Sequence, residues 1–384
     1  EMDPLWRSAL VLLIVHAVLA WTEIERREAE GLSYAEFRNS YKMTKTPVII
    51  TNYTDGWPIM NWSFDRLKED CVGDRVNFVD KGLYLIQNLP PAAKKMWEAE
   101  LMRVFGLSLD QLLRLCQEGM SVPQFIDYVT LNRSKEEIMK QDFSHLVHYF
   151  LPVHMHSFSL HRFCSAKLVD DVTFPSYLLG RHISNFCQNH KEKGPVYGGV
   201  YDPEIFFAAA HSRAYPAHLH GVSADILLLV VRGRKKYVGW PYTEKENLYR
   251  FELGGDTEQH TETSDEIFLA EGIRPDFASQ PLLKDTVGWE GEVKEGDLLY
   301  IPCGQVHQVE NLEPTFSLTF RVVDGDVVQC SKELQELGAH TIEMQFLDLL
   351  TEKSRERAEN DPPVDWSSKI LKEEFCPELS DWNP

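Results

Sequence analysis

The sequence has few basic residues for its length and no closely spaced pair of cysteines. Lysine and arginine total 39 against 59 aspartates and glutamates, giving a formal net charge of -20. Because nucleic-acid phosphates bind to basic surfaces, this balance argues against nucleic-acid binding, but it does not exclude a basic protein or peptide partner. None of the seven cysteines belongs to a CxxC pair, which argues against a zinc knuckle.

Long apolar runs are also scarce. The run over residues 9–21 follows Arg7 and is shorter than the roughly 20 residues of a membrane span. A short apolar run after a basic residue is typical of a secretory signal peptide, which we expect over residues 1–21. The alternatives are a buried helix or an uncleaved anchor, and the anchor alone would place the protein on a membrane.

Three glycosylation sequons fit the secretory route, so the expected location is the endoplasmic reticulum lumen or the cell exterior. Their acceptor residues are Asn52, Asn61 and Asn132.

The remaining composition is that of a globular protein, with 43% hydrophobic and 26% charged residues. Ser33, followed three residues later by Glu36, predicts a capped short helix. From about residue 205, short apolar segments punctuated by glycine and proline predict the strands of a β-sandwich or barrel. Before that point, residues 22–31 read as an exposed charged segment and residues 95–195 as mostly helical.

Two further segments flank the predicted barrel strands. The acidic, polar stretch over residues 243–289 reads as an inserted loop, either a lid or a partner surface. From Lys332 the pattern becomes helical again, and its apolar residues align on one stripe. That stripe either packs against the core or forms a homodimer through the C-terminal helices.

A histidine pair is the strongest chemical signal. His218 and His220 lie two residues apart, and alternate side chains of a strand share one face. Two such imidazoles can chelate one metal, and His307 is the best candidate for a third ligand because a strand and a Pro-Gly turn precede it. Neutral imidazoles suit iron, copper, nickel and zinc. A structural histidine pair is the alternative interpretation.

These residues belong to three ordered groups of motifs that resemble the JmjC-type, cupin-like oxygenases, a family that uses Fe(II) and 2-oxoglutarate. The first group is similar to the family's opening helix, first strand and GWP turn. The second resembles its iron-binding strand and GxK strand, and the third its GDxLYIPxxWxH element. The groups comprise residues 33–37, 47–50, 56–58 and 62; then 216–220, 226–231 and 233–237; and finally 296–302 with His307.

The resemblance implies a role for individual residues and also shows where this chain departs. His218 and His307 match the two iron histidines, and Lys235 matches the lysine that binds the far carboxylate of 2-oxoglutarate. Tyr215 stands where the family often has a co-substrate-binding threonine, and its hydroxyl remains a candidate contact. His220 replaces the family's carboxylate ligand, which makes the expected centre more positive.

Two further positions near the site also differ from the family pattern. Gln305 and Val306 replace the aromatic residues that usually precede the distal histidine.

Asp225 lies seven residues beyond His218, too far along the chain to be expected as the missing carboxylate ligand.

The sequence thus predicts a mainly β protein with helical additions, a double-stranded β-helix of JmjC/cupin-like jelly-roll type. The predicted domain spans residues 32–325, with an N-terminal α/β region over 32–200 and barrel strands over 205–325. A C-terminal helical extension is expected over 330–384. Three functions stay open: a 2-oxoglutarate-dependent protein hydroxylase, an inactive JmjC-like binding module of the secretory pathway, and a three-histidine metalloenzyme that does not use 2-oxoglutarate.

Overall fold

The fold is mainly β, and two sheets pack face to face. The computed structural model describes residues 21–76, 95, 120–130, 155–159, 163–168, 171–172, 204–220, 223–250, 266–322 and 325–339. Side chains from both sheets form one shared apolar layer, in which Ile226 and Leu228 of one sheet meet Tyr237 and Val309 of the other. This two-sheet architecture confirms the predicted β fold of cupin-like jelly-roll type.

The first sheet carries the histidines. Its six strands are β1 (Thr22–Glu23), β8 (Arg213–Leu219), β10 (Lys235–Pro241), β11 (Glu266–Phe268), β12 (Trp289–Val293) and β14 (Gln305–Asn311). They have the order β1-β12-β10-β14-β8-β11, and all neighbours are antiparallel except the β1–β12 pair.

The second sheet has seven strands, which are β2 (Glu25–Glu28), β3 (Val48–Thr51), β6 (Met155–Ser159), β7 (Glu204–Ala208), β9 (Asp225–Arg232), β13 (Leu298–Ile301) and β15 (Thr315–Val322). Their order is β2-β3-β13-β9-β15-β7-β6. The central strand β9 is almost continuously apolar because both of its faces are buried. A separate pair consists of β4 (Arg75–Val76) and β5 (Met120–Ser121).

Helices cover the outer faces of the two sheets. The side chain of Ser33 accepts a hydrogen bond from the Glu36 amide at 3.2 Å, so the predicted N-cap is confirmed. The α-helices are α1 (Tyr34–Phe37), α2 (Phe64–Asp70), α3 (Val122–Thr130) and α4 (Gly325–Glu336). A π-helical turn spans Arg38–Lys42, and 3-10 turns span Pro58–Asn61, Phe163–Ala166, Tyr242–Leu248 and Pro281–Asp285.

Two disulfides tie these outer elements to the rest of the chain. Cys71 at the end of α2 is bonded to Cys164, and Cys303 before β14 is bonded to Cys330 in α4. Both bonds join segments that are far apart in sequence. The second one fastens α4 to the turn that precedes His307.

Two segments differ from their sequence-based interpretation. The charged segment over 22–31 contains β1 and β2, which pair in parallel with β12 and β3. Within 243–289, the three residues of β11 pair with β8, so this part of the stretch joins the first sheet. Edge strands such as β2 carry mostly exposed charged side chains, which hides them from a search for apolar segments.

Several predicted features lie outside the described residues. They are the leader up to residue 20, most of the segment over 95–195 that is predicted to be helical, the sequon at Asn132 and most of the C-terminal apolar stripe. Within the described ranges, no helix combines the length and hydropathy that crossing a bilayer requires.

Candidate metal centre

Neighbouring strands of the first sheet bring the three predicted histidines together. His218 lies in β8, directly opposite His307 in the antiparallel partner strand β14. His220 follows one residue after the end of β8. The i, i+2 spacing therefore supplies two ligands from one chain segment, and strand pairing supplies the third.

The imidazole rings are in mutual contact. Ring centroids of His218 and His307 are 4.4 Å apart, and His220 lies 5.1 Å from His218 and 4.9 Å from His307. One ring nitrogen from each histidine lies within 4.8 Å of the other two. Metal–nitrogen bonds of about 2.0–2.1 Å place the nitrogens of a tetrahedral site about 3.4 Å apart, so the three rings draw closer together when they bind one ion.

Burial keeps His307 in the neutral form that binds metal. His218 and His307 are each 6% exposed, and His220 is partly buried. Burial, together with the neighbouring His218, lowers the pKa of His307 to about 3, partly offset by the Gln305 carbonyl. The Nδ1 atom of His307 is 3.2 Å from that carbonyl. If Nδ1 donates there, Nε2 is left as the metal ligand.

This donor set fits a divalent transition metal. Among the described residues, these histidines form the one cluster of potential ligand side chains. Three neutral imidazoles suit Fe(II), copper, nickel or zinc, and the absence of a carboxylate from this cluster leaves the full charge of a bound ion uncompensated.

Lys235 lies in a polar environment on the first sheet, at the end of β10 that is far from the histidines. Its side chain is buried, and Nζ donates to the Asn311 Oδ1 atom at 2.5 Å and the Thr315 Oγ1 atom at 3.1 Å. Burial lowers the pKa of Lys235 to about 7. The ammonium is therefore held by two neutral oxygens in this structure.

One row of side chains separates Lys235 from the histidines. In the pairing of β10 with β14, Lys235 is opposite Asn311, Tyr237 opposite Val309, and Gly239 opposite His307. Lys235 and Gly239 are four residues apart, which corresponds to about 13 Å along a strand. The Tyr237–Val309 row stands between the two ends and belongs to the apolar layer between the sheets.

Tyr237 fills the interior next to the metal ligands. Its ring stacks on that of His307 at a centroid distance of 6.0 Å, and its hydroxyl donates to the Gln305 Oε1 atom. Gly239 makes room for this arrangement, because a Cβ atom there would clash with the Tyr237 hydroxyl. The Tyr237 side chain thus lies in the interior between Lys235 and His307.

The other residues considered in the sequence analysis lie outside the histidine cluster. Tyr215 lies in β8, three residues before His218, and its side chain is outside the described set. Asp225 forms a buried ion pair with Lys42 and accepts a hydrogen bond from the Cys303 amide at 2.8 Å, so it is absent from the histidine cluster as expected. Asn52 and Asn61 have exposed side chains.

Three polar residues near the site were not assigned a role from sequence. Asn311 follows His307 at an interval of four along β14, and Tyr237 follows Lys235 at an interval of two along β10. Residues at even spacings along a strand share one face, so Asn311 and Tyr237 lie on the same interior face as His307 and Lys235. This periodicity is the sequence signal that could have identified them. Ser223, which lines the pocket beside His220 and His307, has no such periodic signal.

Comparison with known families agrees with the fold and the site. A family model described as a cupin-like domain matches residues 34–321, and the chain belongs to that family. The match to JmjC-type relatives, together with the histidine cluster, confirms the JmjC resemblance.

Two curated relatives are similar over part of their length. The chain is 22% identical over 303 residues to "Lysine-specific demethylase JMJ31" from Arabidopsis thaliana, covering 76% of this chain and 48% of that protein. It is 26% identical over 167 residues to "Bifunctional lysine-specific demethylase and histidyl-hydroxylase NO66" from Caenorhabditis briggsae, covering 43% of this chain and 18% of that protein. The matched region therefore spans about half or less of each relative.

Proposed function

We propose that this protein is a JmjC-type metalloprotein of the oxygenase family, in which His218, His220 and His307 hold one divalent transition metal. The observation that carries the proposal is the convergence of three ring nitrogens within 4.8 Å. Fe(II) is the proposed metal, because it is the ion of the JmjC-type family and accepts imidazole ligands. When bound, the ion supplies Lewis-acid and redox chemistry beside the pocket.

The chain's own residues hold and shield that ion. The backbone carbonyl of Gln305 orients the His307 ring, and Tyr237 stacks against its face. The apolar layer between the sheets closes the inner side of the site and keeps bulk water away. We further propose a protein or peptide partner, because the relatives' names describe a lysine demethylase and a histidyl-hydroxylase.

The packing favours a three-histidine centre that works without 2-oxoglutarate. Tyr237 occupies the interior next to His307, and Lys235 is already held by Asn311 and Thr315. A co-substrate that bridges the metal and Lys235 requires the volume of the Tyr237 side chain.

A 2-oxoglutarate-dependent protein hydroxylase is the second candidate. It is favoured by one specific observation, a lysine retained at the family's co-substrate position and buried among polar oxygens. This candidate requires Tyr237 to swing away when the co-substrate binds.

One series of measurements separates these candidates. Purified protein is assayed for bound metal, for 2-oxoglutarate binding and for conversion of 2-oxoglutarate to succinate. Metal without 2-oxoglutarate binding supports the first candidate, and turnover supports the second. If neither metal nor turnover is found, both candidates fail and the fold serves as a binding module. A His220→Asp variant that gains turnover would identify the altered ligand as the cause of inactivity.

We also propose a location in the secretory pathway, in the endoplasmic reticulum lumen or outside the cell. The Cys71–Cys164 and Cys303–Cys330 disulfides support it, because such bonds persist mainly in oxidising compartments. The exposed acceptors Asn52 and Asn61 are compatible with glycans. Sensitivity of the cellular protein to an N-glycosidase tests this location, and a cytosolic, unmodified protein would contradict it.

A further inference from the structure

Helix α4 closes one side of the pocket beside the histidines. This cavity, the histidine pocket, is lined by His220 and His307 and by residues at the neighbouring ends of β9, β13 and β14. One further lining residue, Leu334, comes from α4 and is 3% exposed. The C-terminal helix therefore supplies a wall of the pocket that contains two of the proposed metal ligands.

The packing of α4 against the turn before His307 leaves little open space. A Cβ atom placed on Gly304 in this turn would lie 3.1 Å from the Leu334 Cδ2 atom and 3.5 Å from the Cys330 Sγ atom. The cavity volume that remains is about 10 Å³, close to the space that one water requires. With α4 in this position, the pocket has no room for a group larger than water.

The Cys303–Cys330 disulfide joins the two walls of the histidine pocket. Cys303 lies between the lining residues Pro302 and Gly304, and Cys330 lies about one helical turn before Leu334. The bond therefore fixes the distance between the turn that leads to His307 and the helix that covers it. Opening the bond removes the covalent restraint on exactly this contact.

Two ion pairs of α4 lie near the protein surface. Asp326 pairs with Arg38, and Glu333 pairs with Lys45, and these four side chains are between 25% and 45% exposed. Water and salt weaken ion pairs at such positions, so they contribute little to holding the helix. The disulfide is therefore a stronger restraint on α4 than either ion pair.

We propose that α4 is an autoinhibitory cap over the histidine pocket, and that the Cys303–Cys330 disulfide locks it until a dithiol reductant opens the bond. The disulfide takes up two electrons and two protons and becomes two thiols, while the dithiol is oxidised to a disulfide. Each of the two cysteines is 4% exposed, compared with 0% for Cys71 and 2% for Cys164, so this bond is the more accessible of the two. The inference rests on the proposed metal centre and adds the regulation of access to it.

The test measures how fast diethyl pyrocarbonate acylates His307 in full-length, metal-free protein. This reagent modifies neutral imidazoles and is larger than the pocket, so it reaches His307 through this side only when the cap opens. Peptide mass spectrometry gives the labelling rate of each histidine. His211, which is partly exposed and outside the pocket, is the internal reference and should react at one rate in all samples.

Removing the disulfide should expose His307. In a Cys303→Ala/Cys330→Ala variant, His307 should react at least about ten times faster than in wild type, because a disulfide of this loop size shifts an opening equilibrium by more than tenfold. The Cys71→Ala/Cys164→Ala variant lacks the other disulfide and is the matched control, which should keep the wild-type rate.

Reduction of wild type tests the lock itself. After treatment with dithiothreitol and desalting without oxygen, mapping of free thiols shows which bond has opened, and His307 should then react as fast as in the variant without Cys303 and Cys330. An unchanged labelling rate with the bond open would refute the lock. A bond that resists the dithiol while the protein stays folded would refute it as well.

A variant with an intact disulfide keeps the cap testable if the cysteine variant does not fold. Leu334→Ala shortens the side chain that closes the pocket and should also accelerate labelling of His307. Leu337→Ala is its control, because Leu337 is 41% exposed just beyond the end of α4. Wild-type labelling of His307 in Leu334→Ala and in the folded cysteine variant would overturn the cap and leave the metal centre intact. A wild-type protein that retains no Fe(II) would instead overturn the proposed function, because the labelling is measured without metal.

Discussion

At the scale of single residues, buried charges far from water determine how the protein responds to pH. Lys235 is the clearest case, with a pKa lowered by burial from 10.5 to about 7. Between these pH values the folded protein releases a proton that the unfolded chain keeps. The unfolded state binds more protons there, so stability rises with pH.

We predict that Lys235→Met removes this dependence. The free energy of unfolding of wild type, relative to the variant, should increase between about pH 7.5 and pH 9, with a limiting slope of about 1.4 kcal/mol per pH unit. Below about pH 6 both states hold the proton, so the two curves should run parallel. Urea denaturation at several pH values measures this, with Lys236→Met as the neighbouring control. Parallel curves across the whole range would contradict the burial of a titrating lysine.

The ion pair between Lys42 and Asp225 is a second buried charge. Their side chains are 3% and 5% exposed, and Asp225 also binds the Cys303 amide. Removing one partner from a buried pair costs about 3–5 kcal/mol, whereas a surface pair contributes about 1 kcal/mol or less.

Lys42→Met should therefore destabilise the protein by about 3–5 kcal/mol in urea denaturation. Lys45→Met is the matched control, because the Lys45 ammonium pairs with Glu333 at the surface. The control should cost about 1 kcal/mol or less. Equal losses in the two variants would show that Lys42 and Asp225 are not a desolvated pair.

At the scale of elements, the turn between β9 and β10 determines where Lys235 and Tyr237 lie. Gly233 in this turn has a φ angle of +83°, and a Cβ atom would clash with the Pro314 carbonyl oxygen. Both features demand glycine, because L-residues avoid this conformation and backbone atoms cannot move aside cheaply.

Gly233→Ala should lower stability by at least about 1–2 kcal/mol from backbone strain alone. A thermal melt measures the loss, which the clash with Pro314 increases. Gly73→Ala is the control, since nothing lies within 4 Å of the added methyl group there. A variant as stable as this control would refute the tight turn.

Helix α4 is attached to the metal site by the Cys303–Cys330 disulfide, and its Leu334 lines the pocket. The bonded cysteines are 27 residues apart, and a disulfide closing a loop of this size contributes about 2–4 kcal/mol. Cys330→Ala should accelerate amide hydrogen exchange in α4, whereas Cys164→Ala should leave α4 protected. Unchanged exchange in α4 would show that packing alone holds the helix.

At the scale of the whole molecule, the sequence allowed prediction of the parts governed by local periodicity. The spacing of His218 and His220, the apolar strand β9 and the cap at Ser33 each follow from short-range patterns, and the structure contains all three. The choice of His307 as the third ligand rested on the strand and Pro-Gly turn that precede it and on the resemblance to a family. Strand pairing explains it, because His307 lies opposite His218.

Other features required the three-dimensional structure. Strands β1 and β2 carry charged residues and form only through pairing with β12 and β3. The packing of Tyr237 over His307 depends on register between β10 and β14, which no local pattern encodes. The partners of the cysteines likewise depend on long-range packing that one sequence does not reveal.

The central claim is that the three histidines form one metal centre, and metal analysis tests it most directly. After incubation with Fe(II) without oxygen and removal of free ion, wild type should retain about one ion per chain. His307→Ala should retain none, whereas His211→Asn, outside the cluster, should match wild type. A wild-type protein without metal, or a His307→Ala variant with full metal content, would contradict the account.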